Sequence, residues 1–245
     1  MGILGVAGFP RQRLAILTAS LLACLPIAAL QARQPDEASV IRGVDAAVKA
    51  RVDTVAGYTV TEHYAVFRNA DENHPVAEMT VKTVYRQETG KSYTILSQSG
   101  SEIIRSMVLG AILDNEKRIN LPGNREGAWF TSANYQMKLK PGGTQRLDGR
   151  DCFLLALTPR RKAPNLVEGT LWVDVKDDSI VQIQGTASKS PSLFTGPTQM
   201  MRQYVNMSGF SMATQARATS NSFLFGQTVV TIDYRDYQIQ LRPSP

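Results

Sequence analysis

The chain has 245 residues, 43% of them hydrophobic and 20% charged, with a formal net charge of +6. That balance excludes a disordered or collagen-like chain and suffices for one domain with a full core. With two His and two Cys, a four-thiolate zinc site is excluded and a mixed site would need all four at unsuitable spacings, so a binding protein is expected ahead of an enzyme.

Arg11 and Arg13 precede an apolar run over residues 14–30 that Pro26 interrupts, the layout of an export signal rather than a membrane span. Leu30 and Ala32 suit the third and first places before a signal-peptidase cut. Residues 1–32 are therefore read as a signal peptide and residues 33–245 as a single domain. The alternative is Leu21-Leu22-Ala23-Cys24 as a lipoprotein box with Cys24 acylated, although the apolar residues directly after that Cys run against it. Once Cys24 leaves with the signal, Cys152 is the sole thiol and no internal disulfide can form. Its apolar neighbours predict a buried, inert group on an inner strand.

Val40, Ile41, Val44, Ala47, Val48, Val52 and Val55 recur at helical steps and predict an amphipathic helix that stops at Gly57, with Arg42, Asp45, Lys49 and Arg51 on its wet face. The period then changes to two. Tyr58, Val60, Tyr64 and Val66 share one side of a strand, and Ala77, Met79, Val81 and Tyr85 form the apolar side of a hairpin partner after the turn at Asn73-His74-Pro75. A third strand is expected over residues 93–96. Residues 101–115 interrupt this pattern with a helix whose apolar arc holds Ile103, Ile104, Met107, Val108, Ala111 and Ile112, with Leu109 and Leu113 beyond it.

A looser stretch around Trp129, Phe130 and Tyr135 leads into an antiparallel meander: residues 137–140, a turn at Pro141-Gly142-Gly143, then 152–158, 167–175, 180–184, 199–206, 214–225 and 228–239, with a last hairpin turn at Gly226. The fold class is α+β, a curved antiparallel sheet with helices set against it.

No nucleophile elbow, P-loop, dinucleotide fingerprint or zincin helix occurs after the signal. His63 and Glu62 are adjacent on a strand and so point to opposite faces, which leaves His63 on the solvent side. Glu62 shares the parity of Tyr58 and Tyr64 and needs a partner, expected to be an Arg or Lys, or else a ligand. Asp174, Asp177 and Asp178 miss the calcium-loop spacing and read as a hairpin turn. Arg160, Arg161 and Lys162 form the densest basic cluster. It is a solvated loop or a peripheral contact for anionic lipid or an acidic partner, and scattered charge elsewhere argues against nucleic acid.

The order of elements, with residues 147–159 (Leu147-Asp148-Gly149-Arg150-Asp151-Cys152-Phe153 and onward to Pro159), Gly169-Thr170-Leu171-Trp172-Val173-Asp174, Met207-Ser208-Gly209-Phe210 and the closing run over 228–237, resembles the outer-membrane lipoprotein carrier and receptor fold (LolA/LolB-like) and the outer-membrane lipoprotein-sorting proteins. The resemblance implies an incomplete β-barrel whose hydrophobic hollow, closed by helices on its concave face, receives acyl chains. The Arg that holds the lid shut in dedicated carriers aligns with neither Arg86 nor Arg105, so no role is transferred to them.

The expectation is a non-enzymatic periplasmic protein that holds a lipid or the acyl chains of a lipoprotein and needs no cofactor or metal. Its hollow would be lined by Val60, Met79, Val81, Tyr85, Leu171, Val173, Val230 and Ile232. The helix over 101–115 would be its lid, with Ile104, Val108 and Ile112 against the ligand. A sensor or scaffold of the same fold that meets an envelope membrane-protein partner is the alternative, and a hydrolase with an unfamiliar site the third option.

Overall fold

Helix α1 (Glu37–Thr54) buries Val40 and Val44 and half-buries Ile41 and Val48, the stripe that the helical spacing predicts. It ends three residues before Gly57, because Val55 already pairs with Leu241 as the first residue of strand β1 (Val55–Arg68). The computed structural model describes residues 36–69, 71–190, 195–222 and 226–243, all within the unit Gln34–Pro245. The expected signal peptide and the Cys24 lipoprotein box lie outside the described residues.

The hairpin partner is β2 (Ala77–Arg86), with Tyr58 opposite Tyr85 and Tyr64 opposite Met79. Strand β3 (Gly90–Gly100) is longer than expected. The next segment is a composite: α2 (Glu102–Ile104), capped by Ser101, then a π-helical stretch Arg105–Gly110, then α3 (Ala111–Ile119). A 3-10 turn, Arg125–Ala128, leads to β4 (Tyr135–Leu147).

The meander follows as β5 (Arg150–Pro159), β6 (Val167–Asp174), β7 (Ile180–Ala187), β8 (Thr195–Met207), β9 (Phe210–Ser222) and β10 (Gly226–Leu241). Asp148-Gly149 and Ser208-Gly209 take positive φ at both positions, as two-residue hairpin turns require. The residues joining β9 to β10 before Gly226 lie outside the described set.

Pro141-Gly142-Gly143 does not end a strand. It forms a bulge inside β4, where residues 140–143 oppose Leu154 alone. On an edge strand Pro forfeits no ladder bond, and the bulge spoils the edge for further pairing.

The ten strands form one antiparallel sheet in the order β3-β2-β1-β10-β9-β8-β7-β6-β5-β4, open between its edges β3 and β4. The sheet curves around helices on one face, so the fold is the expected α+β class. Alternation places Tyr58, Val60, Glu62, Tyr64 and Val66 on the covered face. His63, on the other, meets Thr80 Oγ1 at 3.1 Å and Glu78 at 3.4 Å.

The core is divided. Under α1 lie Leu155, Leu171, Val173 and Ile183. Under the second helical segment lie Met79, Val81, Val230 and Ile232, met by Leu109 and Leu113. Each such buried side chain contributes about 1.5–3 kcal/mol relative to exposure. Cys152 is fully buried on β5, between β4 and β6, as its apolar context predicts.

Candidate functional site

Because each helical segment covers its own half of the sheet, a seam remains between them, and there lies a cavity of about 230 Å³. Val48, Arg51 and Val52 of α1 form one wall, and Glu116, Ile119 and the 125–130 segment form the other. Strands β1, β2, β8 and β10 supply Tyr58, Glu62, Tyr85, Arg202, Tyr204 and Tyr234. Asp45 holds the second wall to α1 by accepting from Ser132 N at 2.8 Å and Ser132 Oγ at 2.6 Å.

Aromatic rings build the apolar part. Tyr58 stacks on Tyr85 at 5.0 Å and tilts against Tyr237 at 5.8 Å. Tyr237 reaches this position through a bulge in β10. Asp236 takes positive φ and the register slips between Thr59 and Thr61, so the inward series Val230, Ile232, Tyr234 continues at Tyr237 and Ile239.

The polar part is an ion network. Lys91 Nζ lies 2.8 Å from Glu116 Oε2, and an Arg202 Nη lies 3.6 Å from Glu116 Oε1. Burial would raise the Glu116 carboxyl, but the Lys91 ammonium and the Arg202 guanidinium outweigh it and hold the group at about 2. Burial would lower the Lys91 ammonium, and Glu116 instead raises it well above its ordinary value. Arg202 is held protonated by Tyr234 beside it, against burial, with Tyr204 and Glu116 adding to the effect.

Glu62 is 2% exposed and accepts a hydrogen bond from Tyr64 Oη, two residues along the same face. Burial, with Glu62 next to it, raises the Tyr64 hydroxyl. The expected Arg or Lys partner is thus replaced by a tyrosine, while Lys91 and Arg202 pair with Glu116 instead. Arg125 donates to the Gln87 carbonyl at 2.5 Å and to Tyr85 Oη at 3.3 Å.

Of the residues expected to line a hollow, Tyr85 borders the cavity. Leu171 and Val173 pack beneath α1, Met79, Val81, Val230 and Ile232 beneath the second helical segment, and Val60 with Val55 and Met212. Ile104, Val108 and Ile112 are half-buried against the Met79 cluster, while Leu109 and Leu113 are its fully buried contacts. Ile103 and Met107, placed in the apolar arc by α-helical spacing, are 68% and 61% exposed. They lie outside the face that Ile104, Val108, Leu109, Ile112 and Leu113 turn to the sheet.

Arg51, assigned to the wet face of α1, borders the cavity instead, since the second wall folds over that face. Asp174 is salt-bridged to Arg150 at 2.5 Å, and Asp177 and Asp178 belong to the β6–β7 hairpin turn as expected. Arg160 and Arg161 donate to the carbonyls of Ser132 and Gly127, so the basic loop also braces the second wall.

Lys91, Glu116 and Arg202 carried no signal as a set. The one local signal was the charge of Arg202 at the same parity as Met200 on β8. The arrangement offers fixed donors and acceptors on an aromatic wall, and neither described His borders it. That chemistry suits binding.

No protein-family model and no curated protein matches the sequence. Among the solved structures similar to it are these three. A LolA superfamily protein from Nitrosomonas europaea is 12% identical, with a TM-score of 0.44, over 85% of this chain and 96% of that one. A DUF1329 family protein from Desulfovibrio piger is 15% identical, with a TM-score of 0.42, over 84% and 95%. A domain assigned to outer membrane lipoprotein sorting, from Vibrio parahaemolyticus, is 13% identical, with a TM-score of 0.46, over 80% and 91%. The first and third names are those of the proteins that the sequence motifs resemble.

Proposed function

We propose that this chain is a non-enzymatic, exported binding protein of the cell envelope that holds part of a lipid, or of a lipoprotein's acyl chains, in the seam between its two helical segments. The observation that carries this reading is the cavity itself, walled by Tyr58, Tyr85, Val48, Val52 and Phe130 on its apolar side. An apolar wall with a few convergent polar groups is the usual form of a small-molecule site. The volume of about 230 Å³ lies below the roughly 300–1,000 Å³ of sites that enclose a drug-sized ligand, so one end of an amphiphile enters and the remainder leaves between the helices.

Mass spectrometry of an organic extract of the purified protein, beside titration with a fluorescent lysophospholipid probe, tests this. A Val52→Trp variant that fills the seam is expected to abolish probe binding with an unchanged circular dichroism spectrum. Equal binding by that variant, or no binding by the natural chain, overturns the proposal. Export is tested by N-terminal sequencing, with Arg33 the expected first residue and a diacylglyceryl mass on Cys24 the contrary result.

A second reading, a sensor or scaffold working by protein contact, is favoured by one observation. Ile103 and Met107 on the second helical segment, with Ile95 and Leu96 on edge strand β3, are large apolar side chains exposed to solvent. A natural chain that binds no lipid probe and yet loses its envelope partner on Ile103→Ser or Met107→Ser would establish it.

A further inference from the structure

Two kinds of unpaired polar atom border the same cavity. Glu62 uses Oε2 to accept from Tyr64, while its buried Oε1 has no hydrogen-bond partner among the described residues. Arg51 Nε is likewise buried without one, whereas the Arg125 guanidinium is held by Tyr85 and Gln87 and its Nε lies 3.5 Å from Glu126. The other charges bordering the cavity are committed. Lys91 and Arg202 pair with Glu116, and Asp177 with Arg150 and Asn206.

A buried carboxylate oxygen and a buried guanidinium N–H left unpaired each carry a desolvation cost that a group of opposite polarity recovers. A simple anion would answer Arg51 and set a second negative charge near Glu62. A simple cation would answer Glu62 and leave Arg51 as it is. A head carrying both charges answers both, and a cavity of about 230 Å³ is of a size for such a head rather than for a whole two-chain lipid.

We infer that the cavity selects a zwitterionic head in which a primary ammonium donates to Glu62 and a phosphate accepts from Arg51. The inference rests on the reading of the cavity as a lipid site and names the head that site takes. The ammonium must carry N–H groups, because Glu62 Oε1 needs a donor and not merely a positive charge.

Calorimetric titration of the purified protein with lysolipids of one chain length tests this, using ethanolamine, choline and glycerol phosphate heads and free O-phosphoethanolamine. The ethanolamine lysolipid is expected to bind about tenfold more tightly than the other two, the scale of one charge-assisted hydrogen bond. Glu62→Gln, which still accepts from Tyr64, is expected to remove that preference while leaving choline lysolipid binding within about twofold. Arg51→Met is expected to weaken all three.

Equal affinity for the three heads, or a preference that survives Glu62→Gln, overturns the inference while the lipid reading stands. Binding of free O-phosphoethanolamine as tightly as its lysolipid keeps the head and overturns the lipid. No binding of any of the four overturns both. Should Glu62→Gln fail to fold, the comparison of ethanolamine with choline on the unaltered chain decides alone.

Discussion

Lys91, at the start of edge strand β3, and Glu116, on α3, pair at 2.8 Å with side chains only 12% and 18% exposed, and so fasten the second helical segment to the sheet beside the cavity. Loss of Glu116 would leave both Lys91 and Arg202 buried without their carboxylate, whereas loss of Lys91 would still leave Arg202 beside Glu116.

Glu116→Gln is therefore expected to cost about 3–5 kcal/mol, read as a lower midpoint in urea at neutral pH. The pH dependence carries its own sign. The Glu116 carboxyl is lower in the folded state, at about 2, than the usual unfolded value near 4.3. Its contribution is present above that unfolded value and disappears as pH falls towards 2. The stability gap between the natural chain and Glu116→Gln should narrow over that window, and a gap constant down to pH 2 would contradict the pairing.

Gly169 on β6 and Gly185 on β7 face each other across the sheet, and each leaves the other no room for a Cβ. A methyl at Gly169 would sit 2.1 Å from the Gln184 carbonyl oxygen, and one at Gly185 would sit 2.2 Å from that of Glu168. Backbone cannot retreat as a side-chain tip can. Either Gly→Ala change is expected to destabilise by about 3 kcal/mol, at the upper end of overpacking costs, in chemical denaturation.

Leu109 and Leu113 mark the buried face of the second helical segment, and Ile103 and Met107 its exposed one. Leu109→Ala and Leu113→Ala are each expected to cost about 2–5 kcal/mol, whereas Ile103→Ser and Met107→Ser should stay within about 0.5 kcal/mol. Thermal melts of the four variants decide between this face and the apolar arc expected from the sequence, in which Met107 would rank with the costly positions.

Cys152 is fully buried, and burial, with Asp174 near it, pushes its thiol up to about 11. Labelling by a thiol reagent at pH 7.5 should proceed only at the rate of opening and accelerate by orders of magnitude in denaturant. Fast labelling of the native protein would contradict an interior β5.

Much of this architecture was legible along the chain, because strand alternation and turn chemistry are local. The parity of Tyr58, Val60, Glu62, Tyr64 and Val66 follows from a period of two, and Asp148-Gly149 and the Asp177-Asp178 corner announce their hairpins. Irregularities were not legible. The β10 bulge at Asp236, the π stretch after Ile104 and the Pro141-Gly142-Gly143 bulge each shift a register that sequence spacing assumes to be constant, and their stability depends on the strands and helices beside them.

The site divides in the same way. Sequence alone determined that Glu62 would be buried on the covered face and would need a partner. Only the tertiary structure decided that Tyr64 would be that partner, that Lys91, Glu116 and Arg202 would meet over the seam, and that Arg51 would turn from a solvent face into a cavity wall. Alternation is a property of neighbouring residues, whereas the burial of a charge depends on which distant surfaces close over it. In this fold those surfaces are α1, α3 and the 125–130 segment, brought together by a sheet that curves.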